Sequence, residues 1–272
     1  MRQNKKRLGL LITITCLALA VVILSPLLLG AGDQIHPEVG LQRPGMGHIF
    51  GTDNLGRDLF SRSMIGLRLS LALALVIQIL SLATGMLLGL ISGYYGGLAD
   101  KIFVVIQNVL LSFPSLIATL CMILLLGSGM RTLVLALAFV NWVGYARLIR
   151  SEVMVTAKAD FIQGAKAVGT SDLGLFIHHI VPNVIRPVVP LFTLMIGHTV
   201  LAISGLGFLG FGVQPPTAEI GLMVRDGITY INKAPWMFFL PGMLLALYSL
   251  LFNMLGDELQ DIFSPRDISA NA

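Results

Sequence analysis

Long apolar runs alternate with shorter polar, glycine-marked stretches along this chain. The first run, Leu8 to Leu29, follows a basic "MRQNKKR" and is about 22 residues long. At about 1.5 Å per residue it covers a hydrocarbon core of about 30 Å. A secretory signal has an apolar region of only about 7–15 residues. The run therefore predicts a retained transmembrane helix, although "LLGAG" offers a small-residue cleavage pattern. Five further spans are predicted at Leu69–Ile91, Ile102–Leu126, Leu133–Ala146 (short but extendable), Val184–Ile203 and Trp236–Leu255. The expected fold is all-α integral membrane, with six transmembrane helices and both termini on one side. Residues 1–68 are read as the N-terminal tail, first helix and outer segment, and 69–272 as a five-helix transmembrane domain.

Between spans four and five the pattern changes. Phe161, Ile162, Ala165 and Val168 recur at helical spacing beside Asp160, Gln163 and Lys166. Gly169 suits the position just past a helix end. Thr170, Ser171 and Asp172 are candidate caps for a second helix, whose stripe is Leu173, Phe176, Ile177 and Ile180. Pro182 stops that helix or starts span five. Gly164, Ala165 and Ala167 leave a low surface that another protein can approach closely. An amphipathic helix lying on lipid is the alternative, but it favours a basic polar face and large apolar anchors.

Composition agrees. The hydrophobic fraction is 56% and the charged fraction 12%, about half that of soluble domains. The formal charge of +4 has its basic residues scattered between apolar runs, which argues against a nucleic-acid surface. Arg2, Lys5, Lys6, Arg7, Arg147, Arg150, Lys158 and Lys166 fall on the side of the termini, against Arg43, Arg57, Arg62 and Arg68 in one longer segment opposite, and with the even span count this bias favours both termini in the cytoplasm. Cys16 and Cys121 lie in apolar runs and suggest no disulfide framework.

Candidate chemistry is sparse. No G-x-x-x-x-G-K-[ST] phosphate loop occurs, so the chain has no visible ATP site of its own and is not read as an enzyme. There is no H-E-x-x-H and no G-x-S-x-G. No ionisable residue falls at the centre of a predicted span, which argues against a proton- or ion-coupled carrier. The polar residues within spans are Gln78, Asn141, His198 and Asn253. Asp53, Arg57 and Asp58 in "GTDNLGRD" are expected to pair at the start of a helix. Gly85 and Gly89 give a G-x-x-x-G packing spacing. Ser204, Gly205, Gly207, Gly210 and Gly212 give a second small-residue path. "GYYGG" (93–97) reads as a tight turn with tyrosines at the interface.

"QGAKAVG", with Pro182 thirteen residues after Gly169, resembles the cytoplasmic "EAA…G…P" loop of permease subunits of ATP-binding-cassette importers. Ala165, Gly169 and Pro182 match, while Gln163 and Gly164 replace Glu and Ala. "GTDNLGRDLFSRSMIGLRLSL", "GYYGGLAD", "FPSL", "WVGYARLIRSEV" and "GLGFLGFGVQPPTAE" resemble the dipeptide/oligopeptide/nickel permease branch, in particular the second, shorter permease of the pair. The resemblance implies a coupling helix, with Phe161, Gln163, Gly164, Ala165, Ala167, Gly169 and Pro182, seated in a cleft of an ATPase subunit. It implies a second permease as heterodimer partner, two ATPase subunits binding ATP and magnesium, an extracytoplasmic binding protein, and surrounding lipid. No cofactor is expected in this chain. Ile196-Gly197-His198 and Pro216-Thr217-Ala218-Glu219 look closest to the nickel-type members, although "GVQPPT" also occurs in the dipeptide-type pattern. Nickel or a metal–chelator complex is thus the favoured cargo and dipeptides the alternative. Met195, His198 and Asn141 are the pathway candidates, with His198 as the metal candidate and Met223 a compatible neighbour. A self-contained channel or carrier is the competing reading of another class.

Overall fold

The computed structural model describes residues 2–29, 32 and 34–263. Met1 and the end of the expected inner tail, 264–272, lie outside the described residues. Ten α-helices occur among those described, and no strand. They are α1 (Arg2–Leu29), α2 (Leu59–Tyr95), α3 (Gly97–Leu111), α4 (Ser115–Leu126), α5 (Met130–Thr156), α6 (Asp160–Ala167), α7 (Asp172–Leu175), α8 (Val181–Phe208), α9 (Ile220–Thr229) and α10 (Trp236–Phe263).

Five described helical segments are long and apolar enough to cross a membrane, and six if α3 and α4 count as one broken span. The third predicted span, Ile102–Leu126, is that broken one: its halves meet at 88°. Pro114 is the reason. It has no amide proton to donate and disfavours helix at the residue before it. The other spans run longer than predicted, because polar residues at their ends still form helix when packed against neighbours. α5 continues from Ala146 to Thr156 and so contains Arg147, Arg150 and Glu152. α10 passes Leu255, the predicted end of span six, and ends at Phe263.

α2 is the organising helix. Asp58 caps it, its carboxylate accepting from the Ser61 amide at 2.8 Å. Asp53 holds the preceding turn, accepting from the amides of Leu55 and Arg57 at 2.9 and 3.0 Å and from the Arg57 guanidinium at 2.6 Å. Of the pairing expected in "GTDNLGRD", Asp53 with Arg57 is present, whereas Asp58 meets His48 Nδ1 at 2.8 Å instead. Farther along, α2 packs on α5 along a glycine seam. A Cβ at Gly85 would lie 2.6 Å from Tyr145 Cβ, and one at Gly89 2.8 Å from the Ala146 carbonyl oxygen. Gly93 extends the seam: its Cβ would lie 2.8 Å from the Arg150 carbonyl oxygen. Gly93 is thus helical, and the turn read over 93–97 begins only at Gly96. The backbones approach because no side chain intervenes, which in a membrane lets dispersion replace the missing hydrophobic drive.

α8 packs on α2, α5 and α10, and α1 lies against α2 and α10. Arg7 near the start of α1 reaches Glu258 near the end of α10 at 3.4 Å, so these two helix ends share one side. The main core joins Leu67, Ile77, Leu133, Ala136, Ile203 and Ile220, all fully buried. A second core under the α6–α7 loop joins Tyr145, Ile149, Val153, Ile162, Leu175 and Ile180.

Candidate functional site: a helix–glycine–helix loop and a polar cluster between spans

The loop between α5 and α8 is a helix, a glycine break and a second helical piece, as the periodicity predicts. Gly169 has φ +88°, the left-handed conformation that L side chains resist. Ser171 is the cap of α7, accepting from the Gly174 amide at 3.3 Å. Residues 176–180 then form a π-turn that runs straight into α8, and Pro182 lies in the first turn of α8, where its missing amide proton costs nothing.

The π-turn corrects the predicted stripe. Its wider spacing puts Leu175 and Ile180, five positions apart, on the buried side and leaves Ile177 exposed; Leu173, which precedes the turn, is exposed as well. In α6, Ile162 is buried and Ala165 packs against the same core. Phe161 and Val168 point outward, 51% and 88% exposed, so the four stripe positions do not share one buried face. Gly164, Ala167 and Gly169 are exposed too, and no neighbour lies within 4 Å of a Cβ built at Gly164 or Gly169. Gln163 donates its amide to the Ala157 carbonyl at 2.9 Å, fastening α6 to the end of α5.

Two tyrosines of α2 reach this loop, Tyr94 the more closely, with the Tyr95 hydroxyl 3.5 Å from Asp172. The Tyr94 hydroxyl donates to Asp172 at 2.7 Å. The Lys166 ammonium lies 4.6 Å from the Tyr94 ring centre, and the Phe176 ring meets it edge-on at 4.7 Å. Beside it, Arg150 of α5 donates to both oxygens of Asp100 of α3 at 2.5 and 2.8 Å, and Ser92 of α2 donates to one of them at 2.6 Å. Local pattern marks Tyr94 only as an interface anchor and Asp172 only as a candidate cap. Nothing in the local pattern marks a bond between residues 78 positions apart.

Deeper in the bundle, α2, α5 and α8 share a polar cluster. Tyr145 donates to the Gln78 carbonyl oxygen at 2.7 Å. The Gln78 amide donates to Thr199 and, at 3.4 Å, to the Met195 backbone carbonyl. Asn141 donates to Thr199 at 3.3 Å. Two of the pathway candidates, Asn141 and Met195, thus meet in one cluster. His198 does not join it and is exposed on α8. No group of three or more His, Cys, Asp or Glu able to hold a metal occurs among the described residues. Tyr145 and Thr199 were missed, since inside an apolar run they read as core.

On the opposite side, Glu219 is fully buried between α2 and α8 and caps α9. It accepts from the amides of Gly221 and Leu222 at 2.9 Å each, from Ser204 at 3.1 Å and from Ser70 at 3.3 Å. Burial pushes its carboxyl above the ordinary value, opposed by these four donors.

Residues 85–267 match the family of binding-protein-dependent transport system inner membrane components. This chain belongs to that family. The dipeptide transport system permease protein DppC of Alkalihalophilus pseudofirmus is 38% identical to this permease over 267 residues, 98% of this chain and 88% of the relative. The nickel transport system permease protein NikC of Escherichia coli is 35% identical over 232 residues, 85% of this chain and 84% of the relative. The glutathione transport system permease protein GsiD of Pectobacterium atrosepticum is 35% identical over 223 residues, 82% and 74% of the two chains. The fold is similar to that of the inward-facing MetNI methionine ABC transporter, with a TM-score of 0.55 at 19% identity over 76% of this chain and 96% of that one. This permease is therefore a multi-pass inner membrane component of an ABC importer, a class in which separate subunits hydrolyse ATP. The relatives' names carry three different cargoes at similar identity.

Proposed function

We propose that this permease forms a translocation path with a second permease, and that its α6–α7 loop is gripped by one of two ATPase subunits in the cytoplasm. Both termini then lie in the cytoplasm, an extracytoplasmic binding protein delivers cargo on the other side, and residues 69–272 form the body of the permease. The observation that carries this is the outward apolar face of the loop. Phe161, Val168, Leu173 and Ile177 are exposed beside the bare Gly164, on a loop whose other face is fixed by Ile162 and Leu175. An exposed apolar patch of this kind is one that a protein or a membrane covers, and the bare Gly164 and Ala167 beside it favour a closely fitting protein. Replacing Gly169 by Asp tests it: ATPase co-purification and uptake should both fall. Unchanged association and uptake would remove the assignment.

Two cargo readings stand on different residues. Nickel or a metal–chelator complex is favoured by His198, exposed on α8 one position from the polar cluster. Short peptides are favoured by Arg147 and Glu152, opposite charges lining one cleft. Uptake of labelled nickel against labelled dipeptide, in a strain lacking this chain and complemented with it, separates the two.

A further inference from the structure

A groove of about 460 Å³ runs between α1, α2, α8 and α10. Its walls are apolar, with Val22 of α1, Leu75 of α2, Ile196 of α8 and Phe252 of α10 among them. A single lining residue carries charge, Arg68 of α2. Arg68 is the first exposed residue of that helix, since Leu59 to Leu67 are all buried or half-buried. It directly precedes the predicted span Leu69–Ile91, the level at which an apolar run meets the headgroups. Among the described residues it takes part in no hydrogen bond or ion pair, whereas Arg62, six positions earlier, lies 3.8 Å from Asp53. A guanidinium beside hydrocarbon is costly unless water or an anion meets it. Leu71, Ala72 and Leu75 follow Arg68 at helical spacing, so the groove continues along one face of α2. At about 1.5 Å per residue it extends about 10 Å from the cation, most of the way through half a hydrocarbon core of about 15 Å.

We propose that this groove binds an anionic phospholipid, with its phosphate on Arg68 and part of one acyl chain along α2. One cation at the mouth and an apolar channel beneath it match a molecule with one anionic group and a hydrocarbon chain. The planar fork of Arg68 can donate to two phosphate oxygens at once. No acidic residue lines the groove, so the ammonium of a zwitterionic headgroup finds no partner there. Charge complementarity therefore favours a headgroup of net negative charge. A protein face is a poorer occupant, because apolar cover would desolvate the guanidinium and leave its charge unreceived. α1 lies against α2 and α10, and a chain in the groove adds contact through Ile196 to α8. The lipid thus fastens α1 to the bundle, independently of which cargo is carried.

The test uses the assembled importer, stripped of lipid in detergent. It is given dioleoyl-phosphatidylglycerol, dioleoyl-phosphatidylcholine, or glycerophosphoglycerol, which is the anionic headgroup without chains. Native mass spectrometry counts bound lipid, and thermal unfolding follows stability. Phosphatidylglycerol should stay bound and raise the midpoint by several degrees, as a ligand of the folded state does. The other two should do neither. Arg68→Gln should weaken phosphatidylglycerol binding about tenfold or more, since hydrogen bonds to charged groups are the strong ones. Ala72→Trp, which fills the groove and keeps the cation, should weaken it likewise. Arg131→Gln, which removes an exposed basic residue at the start of α5, should bind like the parent. Elution with the partner subunits checks that each variant is folded. Equal retention of phosphatidylcholine overturns the site, as does an equal shift with the chain-free headgroup. So do parental binding by Arg68→Gln or Ala72→Trp, and an equal loss in Arg131→Gln.

Discussion

The Tyr94 hydroxyl donates to the Asp172 carboxylate over 2.7 Å, joining the end of the longest described helix to the loop that projects beside it. The same ring carries Lys166 over its face and Phe176 at its edge, so three loop residues converge on one side chain of α2. Any displacement of the loop is therefore passed to α2, and through the glycine seam to α5. Tyr94→Ala should lower cargo moved per ATP hydrolysed in proteoliposomes severalfold, with ATPase activity less affected. Tyr94→Phe, which keeps the ring and loses the hydroxyl, should fall between. Equal loss of uptake and hydrolysis in both variants would argue against a transmitting role.

Gln163 stands where the resembled loop has Glu, and its amide donates to the Ala157 carbonyl. A carboxylate has no proton to donate there and would face the carbonyl dipole unfavourably. Gln163→Glu should loosen α6 by about 1 kcal/mol, given the typical net value of a hydrogen bond. Faster hydrogen exchange at the α6 amides, with the rest of the bundle unchanged, is the expected readout.

The seam at Gly89 is packed against the Ala146 carbonyl and the Ile149 side chain. Gly89→Val would force α2 and α5 apart. Overpacking costs about 1–3 kcal/mol in ordinary cores, and here the obstacle is backbone, which yields less. Thermal unfolding in detergent should shift down markedly, whereas Gly164→Ala, which meets nothing within 4 Å, should leave it nearly unchanged.

Glu219 gives a pH dependence. Its folded-state carboxyl titrates above the ordinary 4.5 because burial penalises the charge. The folded state therefore holds this proton more tightly than the unfolded one. That stabilisation is complete below the ordinary value and fades as pH rises through the higher folded value. Thermal stability followed upward from pH 4.5 should show this loss, and Glu219→Gln should remove that part of the slope. Because Gln offers one acceptor oxygen for four donors, the variant should also be less stable overall, by about 1–3 kcal/mol.

Much was legible in the chain's pattern. The number and order of the spans, the helix–glycine–helix loop, the Asp53–Arg57 pairing and the close-packing role of Gly85 and Gly89 all follow from local periodicity and residue chemistry. The span ends were not, since polar residues such as Arg150 form helix only because Asp100, from another helix, receives their charge. The exposed face of the loop was misjudged at Ile177, because the π-turn over 176–180 widens the spacing of the buried positions, and at Leu173, which lies outside the core under the loop.

The sequence by itself determined that this is an all-helical membrane protein of the permease type, with a helix–glycine–helix loop between its fourth and fifth predicted spans. Apolar run length and turn chemistry are local properties, and they survive without knowledge of neighbours. Only the tertiary structure decided that Tyr94 grips Asp172, that Gln78, Tyr145, Thr199 and Asn141 form one cluster, and that Arg147 and Glu152 share a cleft. Those groupings join residues from different helices, and a contact of that kind exists only once the helices have packed.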